Sequence, residues 1–82
     1  MTNEEKPTVY TKPNCPLCRQ TKSFLDARKV DYKTIDVTED ADALKHIQDL
    51  GYQSLPVVEV SEDCHWSGHQ LPLITKHILG IG

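Results

Sequence analysis

The sequence predicts an α/β domain in which a four-stranded mixed sheet is flanked by three helices. Three segments place apolar residues on one face at helical spacing, and short runs rich in β-branched residues lie between them. The predicted order is strand, helix, strand, helix, strand, strand, helix. The first strand–helix–strand unit requires a parallel pair with a right-handed crossover, whereas the last two strands form a hairpin. We expect the 82 residues to form a single domain, with residues 1–6 as a polar lead-in.

The first strand is expected at about residues 8–11 and the first helix at about residues 16–29. Pro16 suits the first turn of this helix, because the N–H that proline lacks would have no helical partner there. The residues assigned to its apolar face are Leu17, Thr21, Phe24, Leu25 and Arg28. A second strand is expected to begin at residues 30–31 and to run to about residue 36.

Thr38 is expected to cap the second helix, whose first turn is acidic and whose end is marked by Gly51. Its apolar face consists of Ala43, Leu44, Ile47 and Leu50. The β-branched run at residues 56–60 predicts the third strand.

A short antiparallel strand is expected at residues 64–66 and is ended by Ser67-Gly68. The closing helix has Pro72 in its first turn and Gly80 near its end. Its apolar positions are Leu71, Ile74 and Ile78.

The segment Cys15-Pro16-Leu17-Cys18 places two thiols at the junction of the first strand and the first helix. Cys15 stands at the helix N-terminus, where free N–H groups and the helix dipole are expected to lower its pKa from about 8.5 to about 7. Lys12 is expected to support this effect. Cys18 lies one turn further along the same face, within bonding reach. We therefore expect Cys15 to be the nucleophile and Cys18 the resolving thiol.

Composition and charge argue against several other classes of function. The net charge of −3 argues against binding to nucleic acid. The sequence has no basic cluster that would bind a membrane surface and no apolar segment long enough to span a bilayer. Residues 1–6 lack the order of a secretory signal, and an odd count of three cysteines argues against a secreted disulfide scaffold. We expect a cytoplasmic protein. In a reducing compartment a Cys-x-x-Cys pair is more often catalytic or metal-binding than structural.

The element order, the dithiol at the first helix and the proline opening the third strand resemble the thioredoxin and glutaredoxin superfamily, which implies a thioredoxin fold. Four blocks narrow the resemblance to the NrdH-redoxin family. They are Val9-Tyr10-Thr11-Lys12-Pro13, Leu50-Gly51-Tyr52, Leu55-Pro56-Val57-Val58 and His65-Trp66-Ser67-Gly68. The family implies a dithiol electron carrier that is reduced by thioredoxin reductase. It also implies that the carrier donates electrons to class Ib ribonucleotide reductase, for deoxyribonucleotide synthesis.

The resemblance also implies roles for residues away from the two thiols. It implies that Pro56 is cis and faces the dithiol, with the backbone of Leu55 turned outward to pair with an incoming peptide. Trp66, Ser67 and Gly68 are expected to belong to the docking surface for partners. Packing in the core is an equally good expectation for Trp66.

The sequence departs from the family pattern at two places. His69-Gln70-Leu71-Pro72 stands where relatives usually have Phe-Arg-Pro, so the aromatic ring and the guanidinium that relatives have on that side of the docking surface are lost. Pro16-Leu17 stands between the cysteines where relatives often have Val-Gln, which bears on the reduction potential. That potential is expected between about −200 and −270 mV. Cys64 is expected to be a strand-end residue without a catalytic role, the alternative being a regulatory or dimer-forming thiol.

Two alternative functions stay open. A glutathione-dependent glutaredoxin typically has Thr-Val-Pro before the third strand and an acidic turn after it, whereas this chain has Ser54-Leu55-Pro56 and no acidic pair after Gly68. A metal-binding module would need Cys64-His65 as its second ligand pair, but adjacent residues on a strand point to opposite faces. We expect a monomer without metal or organic cofactor, in which the Cys15–Cys18 disulfide is the redox group.

Overall fold

A computed structural model of the chain describes residues 6–61 and 64–78. The elements occur in the predicted order: β1 (Thr8–Thr11), α1 (Pro16–Ala27), β2 (Lys33–Asp36), α2 (Ala41–Asp49), β3 (Val57–Ser61), β4 (Cys64–Ser67) and α3 (Leu71–His77). Most of the predicted lead-in, residues 1–5, and Gly80 lie outside the described residues. Among the helices that the structure describes, none is long and apolar enough to cross a membrane.

The four strands form one mixed sheet in the order β2-β1-β3-β4. The central strand β1 runs parallel to β2 and antiparallel to β3, and β3 and β4 pair as an antiparallel hairpin, as predicted. The register pairs Tyr10 with Val57 and Val57 with Ser67. The end of β1, the start of β3 and the end of β4 therefore lie at the same end of the sheet.

The two faces of the sheet carry two separate core clusters. One consists of Val9, Leu25, Val58, Trp66 and Ile74, so α1 and α3 cover that face. The other consists of Tyr10, Val37, Ala43, Ile47 and Val57, so α2 covers the opposite face. Successive strand residues alternate between the clusters, as the two-residue period of a strand requires. This arrangement confirms the predicted sheet flanked by three helices.

The apolar face predicted for α1 was partly wrong. Leu17 is 45% exposed, and the buried residues of the helix are Cys18, Thr21 and Leu25. The sheet-facing side of the helix therefore begins at Cys18, one position later than predicted. Arg28, also predicted on that face, is exposed at the helix end and lies 3.9 Å over the ring centroid of Phe24.

Helix α1 also ends earlier than predicted, at Ala27 rather than at about residue 29. The N–H of Lys29 bonds to the carbonyl of Asp26, and the N–H of Val30 bonds to the carbonyl of Leu25, both at 3.0 Å. These two bonds form a Schellman motif, which needs a left-handed residue after the helix. Lys29 takes that conformation with φ +58°, although it is not glycine.

The predicted cap of α2 was wrong by two residues. The carboxylate of Asp40 accepts the N–H of Ala43 at 3.0 Å, so Asp40 is the N-cap. The backbone N–H of Thr38 instead donates to the carboxylate of Asp36 at 2.9 Å, in the turn that follows β2. Leu44, predicted on the buried face, is 37% exposed. The predicted end of α2 is confirmed, since Gly51 has φ +96°.

Smaller differences concern the closing helix and the strand ends. In α3 the predicted apolar residue Leu71 is 40% exposed, whereas Ile74 is fully buried. Strand β2 begins at Lys33 rather than at residues 30–31, and β4 extends to Ser67. Strand β3 begins at Val57 because Pro56 has no N–H to contribute to the ladder.

Candidate functional site

Cys15 and Cys18 lie where β1 passes into α1, and they form a disulfide with a Cα–Cα distance of 5.2 Å. Asn14 has φ +60°, and this left-handed residue leads the chain into the helix. Cys15 is the N-cap, and its Sγ accepts the backbone N–H of Cys18 at 3.2 Å. Cys15 is 7% exposed and Cys18 is 1% exposed, so the cysteine at the helix end is the less buried of the two.

The surroundings of the dithiol are rich in positive charge. A cavity of about 260 Å³ contains both cysteines, and three cationic residues also line it: Lys12, Arg19 and Lys22. Among the residues that the structure describes, no carboxylate lines this cavity, and the first turn of α1 contains no acidic residue. A thiolate at Cys15 would therefore have a helix N-terminus and nearby cations to stabilise its charge.

The Leu55–Pro56 segment lies at the same end of the sheet as the dithiol. The peptide bond between these residues is cis, as the family resemblance implied. The carbonyl of Pro56 accepts the N–H of Gly68 at 2.7 Å. The hydroxyl of Ser67 lies 3.0 Å from the Ser54 hydroxyl and donates to the Ser54 carbonyl at 3.0 Å. The structure thus brings Leu55 and Pro56 together with Ser67 and Gly68.

Lys12 connects the dithiol region with Leu55. Lys12 lines the cavity that contains both cysteines, and it also lines a second cavity of about 280 Å³. Leu55 lines that second cavity together with Ile47 and Tyr52. The two cavities therefore share Lys12 as a lining residue.

Trp66 and Cys64 are held by the β3–β4 hairpin. Trp66 is 6% exposed and belongs to the core cluster on the α1 and α3 side, which confirms the core role expected for it. Its part in docking stays a prediction, as do those of Ser67 and Gly68, which are less buried than Trp66. Cys64 is a free, partly buried cysteine at the start of β4 and packs against the same cluster.

Two hydrogen-bonded groups near the site were not predicted. Oγ1 of the fully buried Thr21 lies 2.8 Å from Nδ1 of His69, which ties α1 to the loop after β4. Under the sheet, the Tyr10 hydroxyl donates to Glu59 at 3.0 Å, and Nε2 of His46 lies 3.0 Å from the same carboxylate oxygen. These partners are distant in sequence, so no local pattern could have indicated them.

The acidity of Tyr10 reflects that environment. Burial, and then the hydrogen bond and negative charge of Glu59, raise the pKa of Tyr10 from 10.0 to about 12. The phenol is therefore a neutral donor throughout the physiological range, and its hydrogen bond joins β1 to β3.

No group of three or more histidine, cysteine or acidic side chains is arranged to hold a metal ion within residues 6–61 and 64–78. Cys64 and His65, the second ligand pair that the metal hypothesis needs, lie in β4. Nδ1 of His65 is 2.6 Å from the Tyr52 hydroxyl.

Comparisons with known proteins agree with this geometry. The glutaredoxin family model matches residues 8–66. The glutaredoxin-like protein NrdH of Escherichia coli K12 is 32% identical over 69 residues, which cover 84% of each chain. The Gene 56 protein of Mycobacterium phage D29 is 40% identical over 52 residues, 62% of this chain and 58% of the phage protein.

The fold comparison gives the same result. The solved structure of the glutaredoxin-like NrdH-redoxin from Escherichia coli superimposes with a TM-score of 0.82 at 30% identity, and the match covers 88% of this chain and 93% of that one. Sheet order, disulfide and family match are thus consistent with a thioredoxin-like redox protein. The chain belongs to the glutaredoxin family and, within it, to the NrdH-redoxins.

Proposed function

We propose that this protein is a dithiol electron carrier that reduces protein disulfides by thiol–disulfide exchange at Cys15 and Cys18. One observation carries the proposal. The Cys15 sulfur accepts a backbone N–H at the start of α1 and lies within disulfide distance of Cys18. The helix N-terminus stabilises the thiolate of a cysteine in this position, and the Cys18 thiol is close enough to attack the mixed disulfide and release the reduced substrate.

The exchange takes place in two displacements. The Cys15 thiolate of the reduced protein attacks one sulfur of the substrate disulfide, forming a mixed disulfide and expelling the other substrate sulfur as a thiolate. Cys18 then loses its proton to that thiolate or to solvent and attacks the Cys15 sulfur. The second substrate sulfur leaves, and the Cys15–Cys18 disulfide remains. The substrate gains two electrons, and the redox group is the cysteine pair itself, without metal or organic cofactor.

We assign the carrier thioredoxin reductase as its electron source and class Ib ribonucleotide reductase as its acceptor, in the cytoplasm. The Escherichia coli NrdH-redoxin, which shares the fold, has a thioredoxin-like activity profile. The loop after Gly68 also favours this assignment over glutathione. His69 is engaged with Thr21, Gln70 donates to the carbonyl of Ser67 at 3.2 Å, and neither provides a carboxylate for the ammonium of glutathione.

In this proposal the substrate peptide pairs with the backbone of Leu55 beside the dithiol. Among the residues that the structure describes, no hydrogen bond to the N–H or C=O of Leu55 is made. On either side of it, Ser54 is hydrogen-bonded to Ser67 and Pro56 to Gly68. Because the neighbouring residues are fixed and the backbone groups of Leu55 are available, a substrate peptide can pair with Leu55 by strand addition.

A coupled assay tests the reductant. Consumption of NADPH is followed with a disulfide substrate and either thioredoxin reductase or glutathione with its reductase. We expect turnover with thioredoxin reductase, its loss in Cys15→Ser, and an accumulating mixed disulfide in Cys18→Ser. Turnover with glutathione alone would contradict the assignment. Elemental analysis of the purified protein tests the metal hypothesis, since stoichiometric zinc or iron that is lost in Cys15→Ser would replace the carrier proposal.

A further inference from the structure

The cations beside the dithiol form a cluster that the exchange chemistry does not require in full. Lys12, Arg19 and Lys22 line the cavity that contains Cys15 and Cys18. None of the three makes an ion pair with another residue of the described part of the chain. Lys12 and Arg19 are exposed, and Lys22 is half-buried. The three cationic residues thus border the recess that contains the dithiol.

This positive surface is local, because the whole chain carries a net charge of −3. Among the described residues, the exposed acidic side chains of Glu39, Asp40 and Asp42 lie at the start of α2, which covers the other face of the sheet. Asp26, on α1 itself, accepts a hydrogen bond from the Tyr32 hydroxyl at 2.8 Å. Asp36 pairs with Thr11 in the sheet, but its carboxylate is engaged by Thr38. A charge separation of this kind orients an approaching charged partner.

We propose that the dithiol face selects protein disulfides with acidic flanking residues, and that Arg19 and Lys22 receive those carboxylates. This inference rests on the proposed carrier function and names the substrate class. Arg19 and Lys22 both lie on α1 beyond Cys18. They therefore contact the part of the substrate peptide that lies on the α1 side of its disulfide. The occupant is an acidic peptide segment carrying a disulfide.

The cations have a second possible effect, which is to stabilise the Cys15 thiolate itself. That effect would change the rate with every substrate equally, since it acts on the attacking group. Selection of acidic substrates changes the rate with acidic peptides alone and weakens as salt screens the charges. The two effects are therefore separable.

The experiment compares two peptides that contain the same intramolecular disulfide, one flanked by aspartates and the other by asparagines at the same positions. The protein is reduced with dithiothreitol, freed of it, and mixed with each peptide, and the second-order rate constant of peptide reduction is measured. Each rate constant is divided by the rate constant of dithiothreitol with the same peptide, which corrects for intrinsic reactivity of the disulfide.

We expect the corrected rate to be about tenfold higher for the aspartate peptide at low ionic strength. The ratio should fall as ionic strength rises from about 0.01 M to about 0.15 M, because the Debye length shortens from about 30 Å to about 8 Å. Arg19→Gln and Lys22→Gln should each slow the aspartate peptide about threefold more than they slow the asparagine peptide. Lys33→Gln is the matched control. It removes the same charge from an exposed residue that pairs with Thr8, at the opposite end of the sheet.

Equal corrected rates for the two peptides would overturn the inference while leaving the carrier function intact. It would also be overturned if Arg19→Gln and Lys22→Gln slowed both peptides equally, or if Lys33→Gln had the same effect as either. Failure to reduce either peptide would contradict the carrier function, and the inference with it.

Discussion

The hydrogen bond between Thr21 and His69 offers a sharp test of how the site is held together. Thr21 is fully buried, and its Oγ1 lies 2.8 Å from Nδ1 of His69. The His69 ring also packs edge-on against Phe24, with 6.4 Å between the ring centroids. Replacing His69 by phenylalanine keeps an aromatic ring against Phe24 and removes Nδ1. The substitution therefore leaves the Thr21 hydroxyl buried without its partner.

The expected cost follows from the difference between breaking and removing a hydrogen bond. A buried donor or acceptor that loses its partner costs about 1–3 kcal/mol, whereas replacing both partners by apolar groups is nearly neutral. We therefore expect His69→Phe to lower the free energy of unfolding by about 1–3 kcal/mol. Thr21→Val should cost less, because the half-buried His69 retains access to water. The double variant should be more stable than His69→Phe by about 1 kcal/mol or more.

Urea unfolding of the oxidised protein measures all three variants against the parent. For a domain of this size, 1 kcal/mol corresponds to a shift of about 4–8 °C in Tm, so thermal melts give an independent check. An unchanged slope with urea shows that the variants alter stability rather than compactness. The reasoning would be refuted if His69→Phe cost less than about 0.5 kcal/mol, or if adding Thr21→Val to it lowered stability further.

Three further predictions concern other parts of the fold. Lys29→Gly is expected to raise the free energy of unfolding by about 1 kcal/mol, because Lys29 has φ +58° after α1; thermal melts test this, with Lys29→Ala as a control that should show no gain. In urea unfolding, Ile74→Ala is expected to lower the free energy of unfolding by about 2–5 kcal/mol, since Ile74 is fully buried. Leu71→Ala is expected to lower it by less than about 0.5 kcal/mol, because Leu71 is 40% exposed. Folding raises the pKa of Tyr10 from 10.0 to about 12. The neutral phenol therefore contributes its full stability at a pH below the pKa of the unfolded chain, and this contribution is lost as the pH rises through the pKa of the folded protein. The free energy of unfolding is measured across that pH range in a Cys64→Ser background, with and without Tyr10→Phe. It should fall less with rising pH when Tyr10→Phe is present, and an equal fall would contradict the role given to Tyr10.

The order of the elements and the position of the dithiol could be predicted because both depend on local patterns. β-branched runs gave the strands, and the segment Cys15-Pro16 combined a thiol with a residue suited to the first helical turn. Gly51 marked the end of α2 because glycine readily takes a positive φ. Each of these signals lies within a few residues of the feature that it predicts.

The remaining features depend on choices that the local sequence leaves open. Thr38 and Asp40 both have side chains able to cap a helix, and Asp40 does so because Thr38 is already engaged with Asp36 in the preceding turn. Lys29 follows α1 in a left-handed conformation that glycine usually takes, so the residue type at this position did not indicate the end of the helix. The bond from Thr21 joins residues 48 positions apart and required the fold itself.

The central claim is that Cys15 is an activated thiol because it caps α1, with Cys18 behind it. Alkylation of the fully reduced protein by iodoacetamide over a series of pH values, followed by peptide mapping of all three cysteines, tests this claim most directly. The account predicts that Cys15 is labelled first, with a rate midpoint near 7 and well below the ordinary thiol value of about 8.5. Labelling of Cys18 ahead of Cys15, or a Cys15 midpoint at the ordinary value, would contradict it.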